Sequence, residues 1–226
     1  MIRVRVGNLT VEIEDESQLF LTSDPHFWHA NVIKYCNRPY ATSEEMNEAL
    51  IANWNATVKP TDVVIVNGDF AMAARAVEQI VPRLNGRKIL ILGNHDFPHP
   101  AHSKGRKPEL REKWTKLYES YGFMVVALEG SLEVTGVANF RLFHLPYTDP
   151  TDTNQEGKPR HFKERLPDDG RPLLCGHVHE KWLFKRTPKG TPQLNVGVDA
   201  PGVSWYMRPA SLKEVMEVYL EKTKTD

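Results

Sequence analysis

Asn94, His95 and Asp96 follow directly on the apolar run Leu90-Ile91-Leu92 and Gly93, and this junction is where the sequence concentrates its chemistry. An apolar run that stops at glycine and three polar residues reads as a buried strand delivering side chains at its carboxyl end, the edge at which open α/β sheets bind ligands. Alone, an Asn-His-Asp turn is equally well explained by turn hydrogen bonding. The same grammar recurs at four other strand ends. Asp24-Pro25-His26 follows the run from Leu19, Asn67-Gly68-Asp69 follows Val63 to Val66, His144 follows Phe140 to Phe143, and Gly176-His177-Val178-His179 follows Leu173 to Cys175. Carboxylates, an amide oxygen and imidazoles without cysteine suit borderline first-row divalent ions, manganese first, with iron, zinc or nickel as alternatives. One ion cannot use so many ligands. Two ions about 3.5 to 4 Å apart that share a carboxylate would use them all, and such pairs clamp the attacking and leaving oxygens of a phosphoryl displacement.

These clusters meet only if the strands that carry them lie side by side. Arg3 to Val6 and Val11 to Ile13, joined around Gly7-Asn8, predict a hairpin, and Leu19 to Thr22, Val63 to Val66 and Lys88 to Leu92 predict short buried strands. Ser43 to Val58 predicts a helix capped by Thr42 or Ser43, with Met46, Leu50, Ile51 and Trp54 at helical spacing. Ala73 to Leu84 predicts a second helix that Pro82 kinks or stops, Glu109 to Tyr121 a third, and Ser211 to about Lys222 a last one with Ser211 and Glu214 as a capping box. Val125 to Leu128, Leu132 to Thr135 and Phe140 to Phe143 are spaced too closely for helical crossovers, so the second half is expected to be antiparallel. Pro146 to Gly170 is a long charged loop, and loops of that length are commonly functional.

At 226 residues the chain is expected to form one domain over residues 1–226, with a core that needs no disulfides. Lys plus Arg and Asp plus Glu are both 29, so no global field draws it to nucleic acid or to an acidic membrane, and any attraction for anions must be local. Cys36 and Cys175 match no disulfide or Cys-x-x-Cys framework and read as apolar fillers in a reducing compartment. The amino-terminal alternation of apolar and charged residues is a strand pattern rather than a signal peptide. No stretch approaches the roughly 20 apolar residues of a membrane helix, and a cytoplasmic location is expected.

Taken in order, Asp24-Pro25-His26, Gly68-Asp69, Gly93-Asn94-His95-Asp96, His144 and Gly176-His177-Val178-His179 resemble the signature of calcineurin-like metallophosphoesterases, from about residue 20 to 180. The resemblance implies an α/β fold, a four-layer α/β/β/α sandwich of two mixed sheets flanked by helices, with a dimetal site at their shared edge. It implies Asp24, His26 and His179 on one divalent ion, Asp69 between the two, and Asn94, His144 and His177 on the other. His95 would then protonate the leaving alkoxide, Asp96 would orient its other ring nitrogen, and a water or hydroxide on the metals would be the nucleophile. The implied activity is hydrolysis of a phosphate ester, as a phosphodiesterase or phosphomonoesterase acting on a small or nucleotide-like substrate. A metal-dependent nuclease on single strands or ends is the alternative, and a non-catalytic scaffold a third reading that the complete ligand set disfavours.

Gly68-Asp69 runs into Phe70-Ala71-Met72-Ala73 rather than the further aspartate and arginine of the family's protein serine/threonine phosphatases, which argues against that activity. The stretch Asp24 to Tyr40 resembles a small prokaryotic and phage subgroup. Arg38 offers a fork that suits a phosphate, with a surface ion pair as its other reading, and His29 offers a substrate contact against a role at a helix start. His99, His102 and His161 are expected on surface loops. The basic segments His102 to Lys107 and Lys158 to Arg165 are candidate selectors for an anionic substrate. Phe27, Trp28, Trp182 and Trp205 are either core residues or platforms for a base.

Overall fold

In a computed structural model of the chain, residues 1–149, 153, 158, 160, 161 and 163–224 are described; those parts of the expected loop 146–170 and of its basic segment that fall between them lie outside the described residues. The Gly7-Asn8 turn closes the expected hairpin, pairing β1 (Ile2–Val6) with β2 (Leu9–Ile13). β3 (Leu19–Thr22) is followed by a short helix, α1 (Ala30–Tyr35), that periodicity does not reveal because one turn and a half carries too little pattern. In α2 (Ser43–Thr57) Thr42 is the cap, its hydroxyl accepting from Glu45 N at 3.1 Å. After β4 (Val63–Val66), α3 (Ala74–Ile80) gives way at Pro82 to a single tighter turn, Val81–Arg83. β5 (Arg87–Ile91), α4 (Pro108–Ser120), β6 (Phe123–Ala127), β7 (Gly130–Val134) and β8 (Ala138–Leu142) follow. The chain finishes with β9 (Leu173–Cys175), β10 (Phe184–Arg186), β11 (Pro192–Asn195), β12 (Ala210–Ser211) and α5 (Leu212–Lys224).

The strands build two mixed sheets with flanking helices, one in the order β12-β3-β4-β5-β6 and the other β10-β11-β9-β8-β7-β1-β2. The expected antiparallel second half holds for β7 with β8 and with β1, for β10 with β11 and for β12 with β3, and fails at three pairings: β6 runs parallel to β5, β9 to β8 and β11 to β9. The physical reason is connection length. Helix α4 supplies the crossover into β6, and the long segment between β8 and β9 brings the chain back in the same direction.

Because successive strand residues face opposite sides, β3, β4 and β5 feed two cores at once. Phe20, Val64, Val66 and Leu90 face Met46, Leu50 and Trp54 of α2 together with Ala76, Val77 and Ile80 of α3. Leu19, Leu21, Val63, Ile65, Ile89 and Ile91 face the other sheet, meeting Val4, Val6, Leu132, Phe140, Leu142 and Leu174, with Val215 and Met216 of α5 in the same cluster. Burial on both faces explains why these strands read as unbroken apolar runs. It also fixes their register, since a one-residue slip would move every side chain into the wrong core. No helix of the described residues is long and apolar enough to cross a membrane.

Candidate metal centre

The loops that leave β3, β4 and β5 meet those that leave β8 and β9, and buried hydrogen bonds knit the two sheets together there. Asn67 Nδ2 donates to the carbonyls of Phe143 at 3.2 Å and Leu174 at 2.9 Å, so one amide at the end of β4 holds the ends of β8 and β9. Asp24 N donates to Gly68 O and His26 N to Asp69 O, while Gly176 N donates to His144 O. Four of the five polar clusters are thereby tied in pairs by backbone, and the fifth is held through a side chain, His95 N donating to Asp69 Oδ1.

Three side chains from β3 and β9, Asp24, His26 and His179, bring their ligand atoms within 4.8 Å of one another, and Asp69, His144 and His177 do the same. Around Asp24 Oδ1 stand the Nε2 atoms of His26 at 3.8 Å, His144 at 3.9 Å and His179 at 3.7 Å. Asp69 Oδ2 lies 3.6 Å from His26 Nε2 and 3.2 Å from His144 Nε2, so its carboxylate faces both groups. Most of these separations are too long for hydrogen bonds and match ligands arranged about a common ion.

The residues fit a pair of divalent cations on further grounds. Asn94 is buried and its Oδ1 has no hydrogen-bond partner among the described residues, an arrangement that costs free energy unless something else satisfies that oxygen. His144 Nδ1 lies 2.8 Å from the carbonyl of Asn67, which accepts its proton and leaves Nε2 to face the carboxylates. Burial alone would lower the His144 pKa, yet the carboxylates of Asp69 and Asp24 outweigh it and carry the ring up to about 10. The site therefore attracts positive charge strongly. His26, where burial dominates, is pushed well below its ordinary value instead. The donor set of carboxylate, imidazole and one amide oxygen is that of a borderline first-row ion.

The backbone is strained where the ligands sit. Asp24 (φ 58), His26 (φ 52), Asp69 (φ 51), His177 (φ 70) and His179 (φ 46) all occupy the left-handed region, which costs a non-glycine residue of order 1 kcal/mol or more. Such outliers persist only where surrounding structure over-determines them, and they cluster at functional sites. Gly93 is required for space rather than for turning the chain as its position suggests: a Cβ there would run into the Asp69 carboxylate and backbone, and one on Gly176 would run into Ser23 and Asp24.

His95 belongs to neither ligand group. Its backbone N donates to Asp69 Oδ1 at 2.8 Å, and its half-buried ring stands 5.5 Å from that of His26, bordering a cavity of about 340 Å³ with His26, His29, Asp69 and His177. Asp96 does something other than orient His95. Fully buried, it accepts from Asp69 N at 3.0 Å, Phe70 N at 3.0 Å and Gly93 N at 2.8 Å, so both oxygens are spent on the loops after β4 and β5.

Arg38 is neither a phosphate clamp nor a surface residue. Its side chain is wholly buried, Nε and Nη2 pairing with the Asp199 carboxylate at 2.9 and 2.7 Å. Its remaining donors go to the Asp24 carbonyl (2.7 Å), the Pro25 carbonyl (2.8 Å) and the Met46 sulfur (3.3 Å). All five N–H groups of the guanidinium are engaged, leaving none for a substrate. Asp199 in turn lies 2.9 Å from His179 Nδ1. Sequence reasoning missed Asp199, although Asn195-Val196-Gly197-Val198-Asp199 repeats the grammar of an apolar run ending in a carboxylate. Cys36 is no plain filler: its Sγ stands 3.3 Å from the same His179 nitrogen. Cys175 is a buried core residue, as expected.

His29 sits at the start of α1 without a side-chain cap bond, and it also borders the cavity beside His95, its ring 5.1 Å from His26. Of the three histidines expected on the surface, His99 is buried, with burial depressing its pKa to about 4, and His161 meets the His177 ring edge-on at 5.3 Å. His102 is half-buried and stacks on Phe97 at 4.8 Å. Arg160 of the second basic segment, and Lys181, border the same cavity. Phe27, Trp182 and Trp205 are buried, whereas Trp28 is exposed.

Comparison with known proteins agrees with this geometry. The family described as calcineurin-like phosphoesterase matches residues 18–221. An uncharacterized protein of Methanocaldococcus jannaschii is 40% identical over 112 residues, covering 48% of this chain and 57% of that protein. The gene 66 protein of Mycobacterium phage D29 is 35% identical over 189 residues, covering 81% of this chain and 89% of its own length. A solved structure of a protein of unknown function from Aquifex aeolicus superposes with a TM-score of 0.57 at 24% identity, over 88% of this chain and 98% of that one, a likeness of fold.

Proposed function

The chain belongs to the calcineurin-like phosphoesterase family, whose members hydrolyse phosphate esters with divalent metal, and from that premise we propose that it acts on a small, nucleotide-like phosphodiester or phosphomonoester. The observation that carries the reading is the pair of ligand groups, the Asp69 carboxylate of one standing 3.6 Å from His26 Nε2 of the other, with the non-ligand His95 held beside them by that carboxylate. Asp24, His26 and His179 would hold one cation, Asn94, His144 and His177 the other, and Asp69 both, with manganese the first candidate. Bound there, two divalent cations neutralise phosphate charge and lower the pKa of the attacking water. His95 delivers a proton to the leaving oxygen, and its fixed backbone keeps the ring at the cavity wall. His29, Arg160 and Lys181 border the space that the substrate enters, and the two basic residues favour an anionic one. The unit is one domain over residues 1–226, working in the cytoplasm, where two unpaired cysteines stay reduced.

The test is hydrolysis of bis(p-nitrophenyl) phosphate and p-nitrophenyl phosphate by manganese-reconstituted protein. Cleavage of either, with about two ions bound per chain, supports the reading; neither cleavage nor stoichiometric metal overturns it. The placement of Arg160 and Lys181 also favours a second reading, a nuclease on single strands or ends. Binding of an oligonucleotide that weakens steeply with salt supports the nuclease, because phosphate contacts release counterions. Salt-insensitive turnover of mononucleotides without oligonucleotide cleavage removes it.

A further inference from the structure

A second cavity, of about 410 Å³, is lined by Trp28, two residues along the chain from His26, and by Ala73, Arg75, Ala76 and Gln79. Trp28 is the anomaly there. It holds a left-handed backbone (φ 62) and the residue remains 39% exposed, so the fold accepts backbone strain for an indole that is not fully buried in return. Asn47, itself buried, fixes this conformation by accepting the Trp28 N–H at 3.0 Å. The side chains of Arg75 and Gln79, which line the same cavity from α3, make no hydrogen bond or ion pair among the described residues.

Both walls are extensions of ligand-carrying loops. Trp28 sits between His26 and His29, and residues 73–79 follow Asp69 by a few positions. Phe27 N donates to Phe70 O at 3.0 Å and Met72 N to Phe27 O at 3.2 Å, so a backbone bridge locks the two loops to each other. The cavity therefore keeps a fixed position relative to His26 and Asp69. An exposed indole face, an unpaired guanidinium and a free amide suit a flat, hydrogen-bonding π-system attached to an anion.

We propose that the Trp28–Arg75 cavity is the subsite for the base of a nucleotide substrate whose phosphate occupies the cavity bordered by His26, Asp69 and His95. The proposal rests on the phosphoesterase reading above and names its substrate class. Trp28 stacks the base, and Arg75 and Gln79 contact its edge.

The test uses the manganese-loaded protein and compares ligands that differ only in the base. In titration calorimetry AMP is expected to bind about tenfold or more tighter than ribose 5-phosphate, the scale of stacking one base on an aromatic side chain. That ratio falls toward one in Trp28→Ala, is partly kept in Trp28→Phe, and shrinks in Arg75→Ala; both positions are exposed, so folding is not at stake. Kinetically, kcat/KM for the p-nitrophenyl ester of thymidine 5′-phosphate exceeds that for ethyl p-nitrophenyl phosphate, and Trp28→Ala narrows the gap. Equal binding of AMP and ribose 5-phosphate, or a preference untouched by Trp28→Ala, overturns the subsite. Base-dependent binding without cleavage of either ester leaves the subsite standing and fails the hydrolase reading; cleavage without base preference does the reverse.

Discussion

Asp199 Oδ2 lies 2.9 Å from His179 Nδ1, and the same carboxylate takes a two-pronged pair from the buried guanidinium of Arg38. The chain Arg38–Asp199–His179 thus begins in the loop after α1 and ends on a ligand-group imidazole, whose Nε2 points toward Asp24 Oδ1. A carboxylate on one ring nitrogen fixes the tautomer and the ring orientation, and leaves the other nitrogen as the donor to a cation.

Asp199→Asn is therefore expected to weaken manganese binding by roughly 10- to 100-fold, the usual scale for a partner behind a metal-binding histidine. Calorimetric titration measures it. Asp199→Ala should in addition lower stability by about 3 to 5 kcal/mol, because it leaves Arg38 buried and unpaired. Unchanged affinity in Asp199→Asn would remove the positioning role.

His95→Ala should lower kcat by roughly 10²- to 10⁴-fold, the range supplied by a positioned proton donor, and leave the metal content intact. Steady-state kinetics beside elemental analysis separates the two effects. A variant that loses metal together with activity would place His95 among the ligands, and one that loses neither would end the proton-donor assignment.

Asp96→Ala strands three buried backbone N–H groups, those of Asp69, Phe70 and Gly93. With each unsatisfied donor costing about 1 to 3 kcal/mol, the loss should be on the order of 3 kcal/mol or more, visible as a lower Tm. Asp96→Asn, which keeps one acceptor oxygen, should fall between. A wild-type Tm with lowered turnover would instead restore Asp96 as a partner of His95.

At the start of α5, Glu214 accepts from Arg208 at 2.6 Å, from the hydroxyl of Ser204 at 2.6 Å and from Ser211 N at 2.9 Å. Arg208 foremost, with both serines, holds its carboxyl down at about 2. A depressed carboxyl contributes stability that is fully present above its ordinary value of 4.5 and is lost as pH falls through about 2. Glu214→Gln should therefore be less stable than wild type by about 1 kcal/mol at pH 7, with the difference shrinking between pH 4.5 and 2 in denaturant titrations. A difference independent of pH would refute the charge contribution.

The strand ends were legible in the sequence because a buried strand between two covered faces must be apolar along its whole length, so its polar terminus stands out. Asp24, His26, Asp69, Asn94, His144, His177 and His179 were found that way, and the tertiary structure brings their carriers together at the edge of two sheets. What each side chain touches depended on partners distant in the chain. Arg38 meets Asp199 across 161 positions and Asp96 serves backbone 26 and 27 positions away, pairings that no local pattern encodes. The direction of β6 and β9 turned on how the connections pack. The exposure of Trp28, alone among four candidate aromatics, was decided by which faces the cores leave uncovered. Local chemistry and periodicity are written along the chain; neighbours supplied by folding are not, and those neighbours set the roles of Arg38, Asp96 and Asp199.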